Sequence, residues 1–450
     1  MGTTPPGPKG LPLVGNGQQY AKDPFAFMSA CEAAYGDVVR LDLGPRETYM
    51  LTNPADVERV LVSEAAKFGK PRLDDALFDL LGDGLLLSNG ETWERQRELA
   101  SPAFHASRVA GLGDLMVDHA ETMLDGWAPD DRVDVHAEMA RVTVRIIVSA
   151  MFGTDIDDDR LTTVRENLEP LGRRFEPNPV RTVIPDWAPT RENREFDAAV
   201  ETLQGVIGEI LDERRGTAYD AADPAGDAVD GDEPMDLLSV LLRARDRGEQ
   251  TDEQLRDELM TMLLAGHDTT ALALTYAWYL LSNHPEARER FHAEVDELDG
   301  RPTAADVRSL TYTDHVLSEA MRLYPPVYTL FREPRVDVRL GGFRVPEGSI
   351  VMLPQWAVHR SERWYDDPLA FDPDRWEPDR QGDRPRFAHF PFGGGPRHCI
   401  GKRLSMLEAK LILASVGREY ELNYEGPELD LRGSITMHPD HPVPMRLRER

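Results

Sequence analysis

Apolar residues recur with helical spacing along most of the chain. The longest such pattern starts at Thr251, where Thr251 and Gln254 have the spacing of a capping box, and it continues to Ser282. At about 1.5 Å per residue this helix would be roughly 45 Å long, enough to cross the whole molecule. His267 and Asp268 lie at its centre, and ionisable side chains are costly inside a bilayer. We therefore predict a buried central helix rather than a membrane span.

Strand patterns, by contrast, are short. The clearest predicts a hairpin across Gly44-Pro45, between strands at 38–43 and 49–52. Another strand pattern, 327–332, follows a pair of prolines. Because no segment in the middle of the chain has the composition of a linker between independent cores, we expect one domain over residues 1–450.

The charge balance is strongly acidic, since 51 Lys and Arg against 80 Asp and Glu give a net charge of -29. Nearly all the cations are Arg, and the acidic residues are spread along the chain rather than gathered in one tail. This balance disfavours nucleic acid as a partner. We interpret it as a surface suited to a salt-rich cytoplasm, where a Debye length of about 3 Å at molar salt screens self-repulsion. A halophilic archaeal host is the resulting hypothesis.

A glycine-rich segment near the C-terminus, 392–401, contains a lone cysteine. Arg397 and His398 come just before Cys399, and a helical pattern, 402–416, comes just after it. Glycines let backbone N–H groups turn toward the sulfur, and nearby cations and the positive end of a helix favour its charged form. The sequence therefore predicts thiolate chemistry, although a buried structural cysteine is the commoner outcome for an arbitrary Cys.

This segment has the form F-x-x-G-x-R-x-C-x-G and resembles the haem-binding loop of the cytochrome P450 family, the haem-thiolate monooxygenases. The resemblance implies haem b as cofactor and Cys399 as the axial ligand of its iron, since a thiolate ligand favours O–O cleavage. It implies that Phe392 packs on the sulfur side of the haem and that Arg397 pairs with a haem propionate. The implied fold is mainly helical, with haem between the central helix and the cysteine loop. A small β region is expected at about 36–72 and 327–360.

Only one other cysteine, Cys31, is present. If Cys399 binds iron, no disulfide within the chain remains possible, which suits a reducing cytosol. The N-terminal segment is rich in Pro and Gly and lacks the apolar stretch of a signal or an anchor. We therefore expect a soluble, cytoplasmic protein of the prokaryotic type, without a membrane anchor and monomeric.

Two further motifs concern the haem propionates. Trp93 and Arg97 lie four residues apart, on one face of a predicted helix. Such a pair most often belongs to an amphipathic surface helix, but W-x-x-x-R resembles the family's propionate-binding pair. The resemblance implies that both side chains reach a propionate. Arg332, at the end of a predicted strand, is a further predicted propionate partner.

The centre of the predicted long helix, 265–270, reads Ala-Gly-His-Asp-Thr-Thr. Thr hydroxyls can bond the carbonyl one turn earlier and loosen a helix. An isolated helical Asp is usually solvated, but this string resembles the family's A-G-x-[DE]-T-[TS] oxygen-activation motif. The resemblance implies that Thr269 donates a hydrogen bond to dioxygen and that Asp268 relays protons from solvent. Gly266 is assigned to the cofactor contacts, and His267 to packing or a water network.

Glu319 and Arg322 form an E-x-x-R pair on one face of a predicted helix. Alone, such a pair is usually a surface ion pair worth roughly 0.5 kcal/mol or less. Together with Arg375, the motif resembles the family's buried Glu-Arg-Arg network. The implied role is structural: the network locks the haem loop.

Two segments are predicted loops. The proline-broken segment 175–189 is similar to the roof of the family's substrate channel, which makes Val183, Ile184 and Trp187 candidate gating residues. Residues 216–232 have no apolar pattern and are expected to form a mobile acidic loop.

The function implied by the resemblance is a monooxygenase that inserts one atom of dioxygen into an apolar substrate, such as a fatty acid or a terpenoid. Candidate pocket residues are Thr329, Leu330 and the strand predicted at 435–437. The Ala-Gly-His-acid-Thr-Thr string also occurs in relatives that hydroxylate fatty acids. Two alternatives stay open: a haem-thiolate isomerase or dehydratase that needs no electrons, and a haem-based sensor or ligand carrier.

Electrons are expected from a separate partner that docks at the cysteine face. Arg397, Lys402, Arg403 and Lys410 outnumber Glu408 there and form a basic island on an acidic protein. An acidic ferredoxin or flavodoxin is the predicted donor.

Overall fold

The computed structural model describes residues 4–12, 15–73, 75–178, 188, 190–218 and 236–450. The predicted gating residues Val183, Ile184 and Trp187, and the predicted loop 216–232 beyond residue 218, lie outside this part of the chain.

The described residues form sixteen α-helices and twelve strands. The helices are α1 (Gly17–Lys22), α2 (Pro24–Tyr35), α3 (Pro54–Glu58), α4 (Asp75–Leu81), α5 (Gly90–Ala100), α6 (Ala106–Gly111), α7 (Gly113–Leu124), α8 (Val135–Ile147), α9 (Asp158–Arg174), α10 (Arg191–Ala218), α11 (Leu237–Asp246), α12 (Asp252–Asn283), α13 (Pro285–Asp296), α14 (Thr311–Leu323), α15 (Gln355–His359) and α16 (Lys402–Glu419). The strands are β1 (Val38–Asp42), β2 (Glu47–Leu51), β3 (Phe68–Gly69), β4 (Arg132–Asp134), β5 (Leu330–Pro334), β6 (Val338–Leu340), β7 (Phe343–Val345), β8 (Ile350–Leu353), β9 (Tyr420–Tyr424), β10 (Leu431–Gly433), β11 (Met437–Pro439) and β12 (Pro444–Glu449). The prediction of a mainly helical fold with a small β region is confirmed.

The largest sheet has five strands in the order β1-β2-β8-β5-β3. Strands β1 and β2 form the predicted antiparallel hairpin, with Val38 opposite Leu51. Strand β8 pairs parallel to β2 and antiparallel to β5. The sheet therefore joins an early and a late part of the chain.

Helix α12 is the central element and begins with the predicted capping box. The Thr251 hydroxyl accepts a hydrogen bond from the Gln254 N–H (3.1 Å), and the Gln254 side chain accepts one from the Thr251 N–H (3.1 Å). Its 32 residues extend over about 48 Å. The helix packs against α8, α10, α14 and α16. No helix in the described ranges is both long and apolar enough to span a bilayer.

Helices α12 and α8 approach closely at Gly266. A Cβ atom at this position would lie 2.6 Å from Cδ1 of Ile147, so the Ile147 side chain would have to move. Packing of the two helices therefore accounts for this glycine, and its predicted contact with the cofactor stays a prediction.

Helix α9 contains Pro170, although proline normally ends a helix. Helix α5 starts at Gly90 and contains both Trp93 and Arg97. One element differs from the sequence prediction. The strand predicted at 435–437 is displaced to β11, which leaves Ile435 in the turn after β10.

A fully buried charge network ties α14 to the segment that leads into the cysteine loop. Glu319 accepts hydrogen bonds from Arg322 (2.7 and 2.8 Å), from Arg375 (3.2 Å) and from the indole of Trp376 (3.0 Å). The Glu319 and Arg322 side chains have 0% exposure. Arg322 also donates to the carbonyl of His359 (2.9 Å).

The remaining donors of this network fix the chain just ahead of the cysteine loop. Arg322 binds the Ala370 carbonyl (3.0 Å), and Arg375 binds the Asp366 carbonyl (2.7 Å). The His359 ring accepts from the Phe390 N–H (3.0 Å). The structure thus brings the three predicted residues together and connects them to the start of the loop.

We expect the Glu319→Ala protein to be unstable and to contain little haem. The substitution leaves two guanidinium groups buried without their carboxylate, which costs about 3–5 kcal/mol of unfolding free energy. Urea unfolding and the haem content of the purified protein measure the effect.

The matched control is Asp75→Ala, which breaks an exposed ion pair of the same i,i+3 spacing with Arg72 (2.7 Å) and is expected to change stability little. A Glu319→Ala protein with wild-type haem content and stability would contradict the assigned role.

Candidate haem site

The cysteine loop is shaped by two glycines in the left-handed region. Gly393 and Gly395 have φ values of 68° and 66°. A Cβ atom at Gly395 would lie 1.8 Å from the backbone oxygen of Leu61, so no other residue fits there. The loop closes when the Cys399 N–H donates to the Phe392 carbonyl (3.0 Å). Helix α16 starts three residues after the cysteine.

The Cys399 side chain is accessible to solvent but densely surrounded by protein. This combination is expected of a side chain that faces an internal space rather than the outer surface. Burial raises the pKa of the thiol, and hydrogen bonds from the Gly401 and Lys402 N–H groups, together with the charges of Arg97 and Lys402, offset part of that increase. The sequence argument counted the cations but not the burial, which outweighs them in the protein alone. A bound metal cation would restore the preference for the thiolate.

The wall opposite the cysteine loop is provided by α12. Ala265 is exposed and Thr269 half-buried in the middle of this otherwise buried helix, whereas Thr270 and Ala271 are buried. The Thr269 hydroxyl donates to the Ala265 carbonyl (3.1 Å), as expected for a threonine that loosens a helix. The Thr270 hydroxyl contacts that of Ser405 on α16 (3.0 Å). Because α12 and α16 touch here, we infer that the accessible faces of Ala265 and Cys399 border one internal space.

Four cations lie in this region, of which Arg332 is buried and the other three are partly buried: Lys70, Arg97, Arg332 and Arg397. Burial lowers the pKa of all four, to about 10 for Arg332 and Arg397 and well below the ordinary lysine value for Lys70. The charges of Arg332 and Arg397 lower the pKa of Lys70 further. Within the described part of the chain none of the four forms an ion pair with a carboxylate, although buried cations require one. Two propionates would meet this requirement, so the site fits haem b.

The Arg397 guanidinium is held by residues at the start of α5. It donates to the Ser88 carbonyl (2.9 Å) and to Oδ1 of Asn89 (3.2 Å). It also lies 4.3 Å from the centre of the Trp93 ring. Arg97 donates to the His398 carbonyl (3.1 Å). Trp93, Arg97 and Arg397 thus lie together, and their contacts with a propionate stay predictions.

Sequence reasoning missed Lys70 and Asn89. Asn89 Oδ1 accepts from the Lys70 N–H (2.8 Å) and from Arg335 (3.2 Å), in addition to Arg397. The available signal was weak: Asn89 precedes a helix as a cap residue would, and Lys70 is one of very few lysines in an Arg-rich chain.

The remaining predicted contacts are Phe392 and Arg332. The Phe392 ring is partly buried against the main hydrophobic core, and the Lys402 ammonium lies 5.4 Å from its centre. Arg332 is buried on β5 and donates to the Phe331 carbonyl (2.8 Å). Both positions are compatible with the predicted contacts to the cofactor.

Asp268, which precedes Thr269 on α12, accepts a hydrogen bond from the Thr436 hydroxyl (2.6 Å). Burial alone would raise the pKa of this carboxyl, but His438, His267 and the Thr436 hydroxyl together lower it below the usual range. Asp268 is therefore ionised at neutral pH. His267 is buried and bonds the Leu263 carbonyl (2.7 Å), in agreement with a packing role.

The basic island predicted at the cysteine face is smaller than the sequence suggests. Lys410 is buried and pairs with Asp314 (2.5 Å), and Glu408 is buried too, with a pKa well above its ordinary value because of that burial. Both belong to the inner face of α16, because helical periodicity turns these positions inward. Of the residues named, Lys402 and Arg403 are exposed.

The cytochrome P450 family model matches residues 5–442, and the chain therefore belongs to this family. It is 37% identical over 425 residues to cyclooctatin synthase of Streptomyces melanosporofaciens, which covers 92% of this chain and 89% of the relative. It is 34% identical over 429 residues to cyclooctat-9-en-7-ol 5-monooxygenase of the same organism (93% and 90% covered). Identity to pentalenene oxygenase of Streptomyces avermitilis is 30% over 450 residues (98% and 96% covered).

The protein is accordingly a P450 monooxygenase, an oxidoreductase that uses haem b. When bound, the haem supplies the redox chemistry that activates dioxygen. Cys399 would hold the iron from one side, and the four buried cations would hold the propionates. The chain's own contribution is to fix this geometry, exclude bulk water and move protons.

We expect Lys70→Met to have opposite effects on the two forms of the protein. The cofactor-free form gains stability because repulsion with Arg332 and Arg397 falls, whereas the haem-loaded form loses a cation that neutralises a propionate. Haem transfer to an acceptor apoprotein should be about tenfold faster or more, as for the loss of one charge-assisted hydrogen bond. Thermal unfolding of the cofactor-free form measures the gain.

The same substitution should also change the pH dependence. The pKa of Lys70 is lower in the folded than in the unfolded chain, so the unfolded chain binds more protons. The stability of the cofactor-free form therefore rises with pH up to the ordinary lysine pKa, and this slope is absent in Lys70→Met. Lys67→Met is the control, because Lys67 is half-exposed and pairs with Glu64. Equal rates of haem loss from Lys70→Met and Lys67→Met would contradict the expected contact of Lys70 with a propionate.

Proposed function

We propose that this protein oxygenates a terpenoid. The observation that supports this proposal is the sequence similarity, over nine-tenths of the chain, to a cyclooctat-9-en-7-ol 5-monooxygenase and a cyclooctatin synthase. In the proposed reaction, one oxygen atom enters a C–H bond of the substrate and the other leaves as water. Two electrons from the redox partner and two protons from solvent balance the step.

The residues that face the distal side are suited to an apolar substrate. Ala265 is exposed in the internal space, and Ile435 has 40% exposure. Ile435 directly precedes Thr436, whose hydroxyl contacts Asp268 (2.6 Å), so it lies close to the distal acid. Leu330 packs beside Gly393 of the cysteine loop (3.6 Å from its ideal Cβ). We propose Ala265, Leu330 and Ile435 as substrate contacts.

The proposed roles of Thr269 and Asp268 follow from their positions on α12. We propose that the half-buried Thr269 hydroxyl faces the internal space and turns from the Ala265 carbonyl to donate its hydrogen bond to dioxygen. The ionised Asp268 lies next in the chain and can accept protons and pass them inward. The surrounding buried helix limits access of bulk water.

The proposed function is tested with a panel of cyclic terpenes, terpene alcohols and fatty acids. A terpenoid should shift the haem spectrum, accelerate consumption of reduced donor and yield a product that carries one atom from isotope-labelled dioxygen. Ile435→Phe should change the product ratio several-fold at unchanged haem content, because a larger side chain narrows the pocket beside Asp268.

Val336→Phe is the control, since Val336 is an exposed hydrophobic residue in the segment between β5 and β6 (46% exposed). Turnover of fatty acids alone would contradict the proposed substrate class. Conversion of a terpenoid without donor consumption would indicate an isomerase or a dehydratase instead.

We propose that the electron donor is an acidic ferredoxin or flavodoxin that docks at the cysteine face. Lys402 and Arg403 are exposed at the first turn of α16, three and four residues after Cys399. The whole protein has a net charge of -29 and would repel an acidic partner. Lys402 and Arg403 provide a local positive charge that attracts such a partner to this face.

Charge reversal by Lys402→Glu with Arg403→Glu should slow reduction by a ferredoxin about tenfold or more at low ionic strength. The difference should shrink at high salt, because the attraction is screened. Stopped-flow reduction measures both rates. The control is Arg339→Glu on β6, where the charge is also exposed. Equal rates for the double variant and the wild type would contradict this docking site.

The acidic surface supports two further proposals about the setting of the enzyme. We propose a salt-rich cytoplasm of a halophilic host, where screening would offset the self-repulsion of a chain with 80 acidic and 51 basic residues. We also propose that the protein works as a monomer.

A further inference from the structure

Three histidines from three elements surround Asp268. His136 is at the start of α8, His267 precedes Asp268 on α12, and His438 is on β11. His438 Nε2 lies 3.5 Å from Oδ2 of Asp268. The His136 and His438 rings are 5.9 Å apart, edge to face.

The link between Asp268 and His438 is completed by Thr436. Its hydroxyl lies 2.6 Å from Oδ2 of Asp268 and 2.8 Å from Nε2 of His438. A hydroxyl can accept a hydrogen bond from an imidazole N–H while it donates to a carboxylate. The 3.5 Å gap between Asp268 and His438 is long for a direct hydrogen bond, so the hydroxyl provides the shorter connection.

Asp268 has no permanent counter-ion in the described residues, because no Lys or Arg pairs with it there. The cationic side chain nearest to it in these ranges is a histidine, which carries charge only when it is protonated. The charge beside the distal acid therefore depends on the protonation of an imidazole.

Of the three histidines, His438 is the one suited to exchange protons with solvent. Burial lowers the pKa of His136 to about 4, and it lowers the pKa of His267 as well, so both are neutral at neutral pH. The His438 side chain keeps 19% exposure.

The titratable groups that face the cluster come from each element around it. Asp134 and His136 come from the junction of β4 and α8, and Tyr276 comes from α12 in addition to His267 and Asp268. His438 comes from β11 and lies opposite Arg432 of β10, which pairs with Glu176 (2.9 Å). None of these groups other than His438 offers Asp268 a proton donor that is both close and accessible.

We propose that His438 positions Asp268 and reloads it with protons during turnover. In this step the Nε2–H bond of the imidazolium breaks, and an O–H bond forms on Asp268 through the Thr436 hydroxyl. His438 then regains a proton from water, and no electron moves. His438 acts through Asp268 and is a positioning residue, since it does not touch the reacting atoms. The inference rests on the monooxygenase class of the protein and not on the terpenoid substrate.

The first test needs no substrate. The stretching frequency of carbon monoxide on the reduced holoenzyme reports the electrostatic field of the distal pocket. In the wild type it should change with pH as the imidazole beside Asp268 gains or loses charge. His438→Gln should abolish that change at unchanged haem content. His441→Gln is the control, because His441 bonds the Pro442 carbonyl (2.9 Å) and should leave the change intact.

The second test measures product formed per electron consumed, with any substrate that shifts the haem spectrum. His438→Gln should lower this yield about tenfold and release more peroxide, because slow proton delivery favours loss of reduced oxygen. Thr436→Val should lower the yield in the same direction, since it interrupts the connection while it keeps the histidine. This second variant also serves if His438→Gln does not retain haem.

The proposal is overturned if the carbon monoxide frequency of the wild type does not respond to pH, or if His438→Gln responds as the wild type does. Unchanged yield per electron in both His438→Gln and Thr436→Val would also overturn it. A failure to find any terpenoid substrate would not affect the carbon monoxide measurement, so the two proposals fail separately.

Discussion

The structure around Cys399 depends on one electrostatic constraint, which is a group of partly or fully buried cations that form no ion pair with a carboxylate among the described residues. Lys70, Arg97, Arg332 and Arg397 are drawn from four separate parts of the chain, and burial lowers the pKa of each. Their mutual repulsion opposes folding until anionic groups, such as the haem propionates, bind between them. The cofactor therefore contributes to the stability of its own site, because binding to the folded state alone shifts the folding equilibrium. The buried Glu319 network differs from this group, since its two guanidinium groups share a carboxylate within the protein.

Helix α12 separates two environments that the chemistry requires. The part of its surface at Ala265 and Thr269 is accessible and borders the inferred internal space. At Gly266, by contrast, helix α8 packs closely against α12. Asp268 lies between them, beside the turn that carries Thr436. The Asp268 side chain, 22% exposed, thus lies beside this turn and beside a histidine that is 19% exposed. A short path of this kind can carry protons without admitting water to the reacting atoms.

The sequence predicted the features that depend on residues close together in the chain. The capping box at Thr251, the hairpin across Gly44-Pro45 and the buried central helix depend on neighbouring residues, and all are found. The residues of the cysteine loop are also adjacent in the sequence, so their pattern was recognisable. Features that depend on distant packing were missed. The burial that raises the pKa of Cys399 and the inward turn of Lys410 are two such cases.

The parallel pairing of β2 with β8 has a consequence for synthesis of the chain. Thr48 pairs with Ile350, so the β1–β2 hairpin leaves the ribosome long before its neighbour exists. At a synthesis rate of roughly 5–20 residues per second, the edge of β2 that later pairs with β8 stays unpaired for about 15–60 s. An unpaired edge of this kind can join a strand from another nascent chain. The order in which the strands are made therefore exposes the early hairpin to aggregation, and chaperones that shield nascent chains would protect it during this interval.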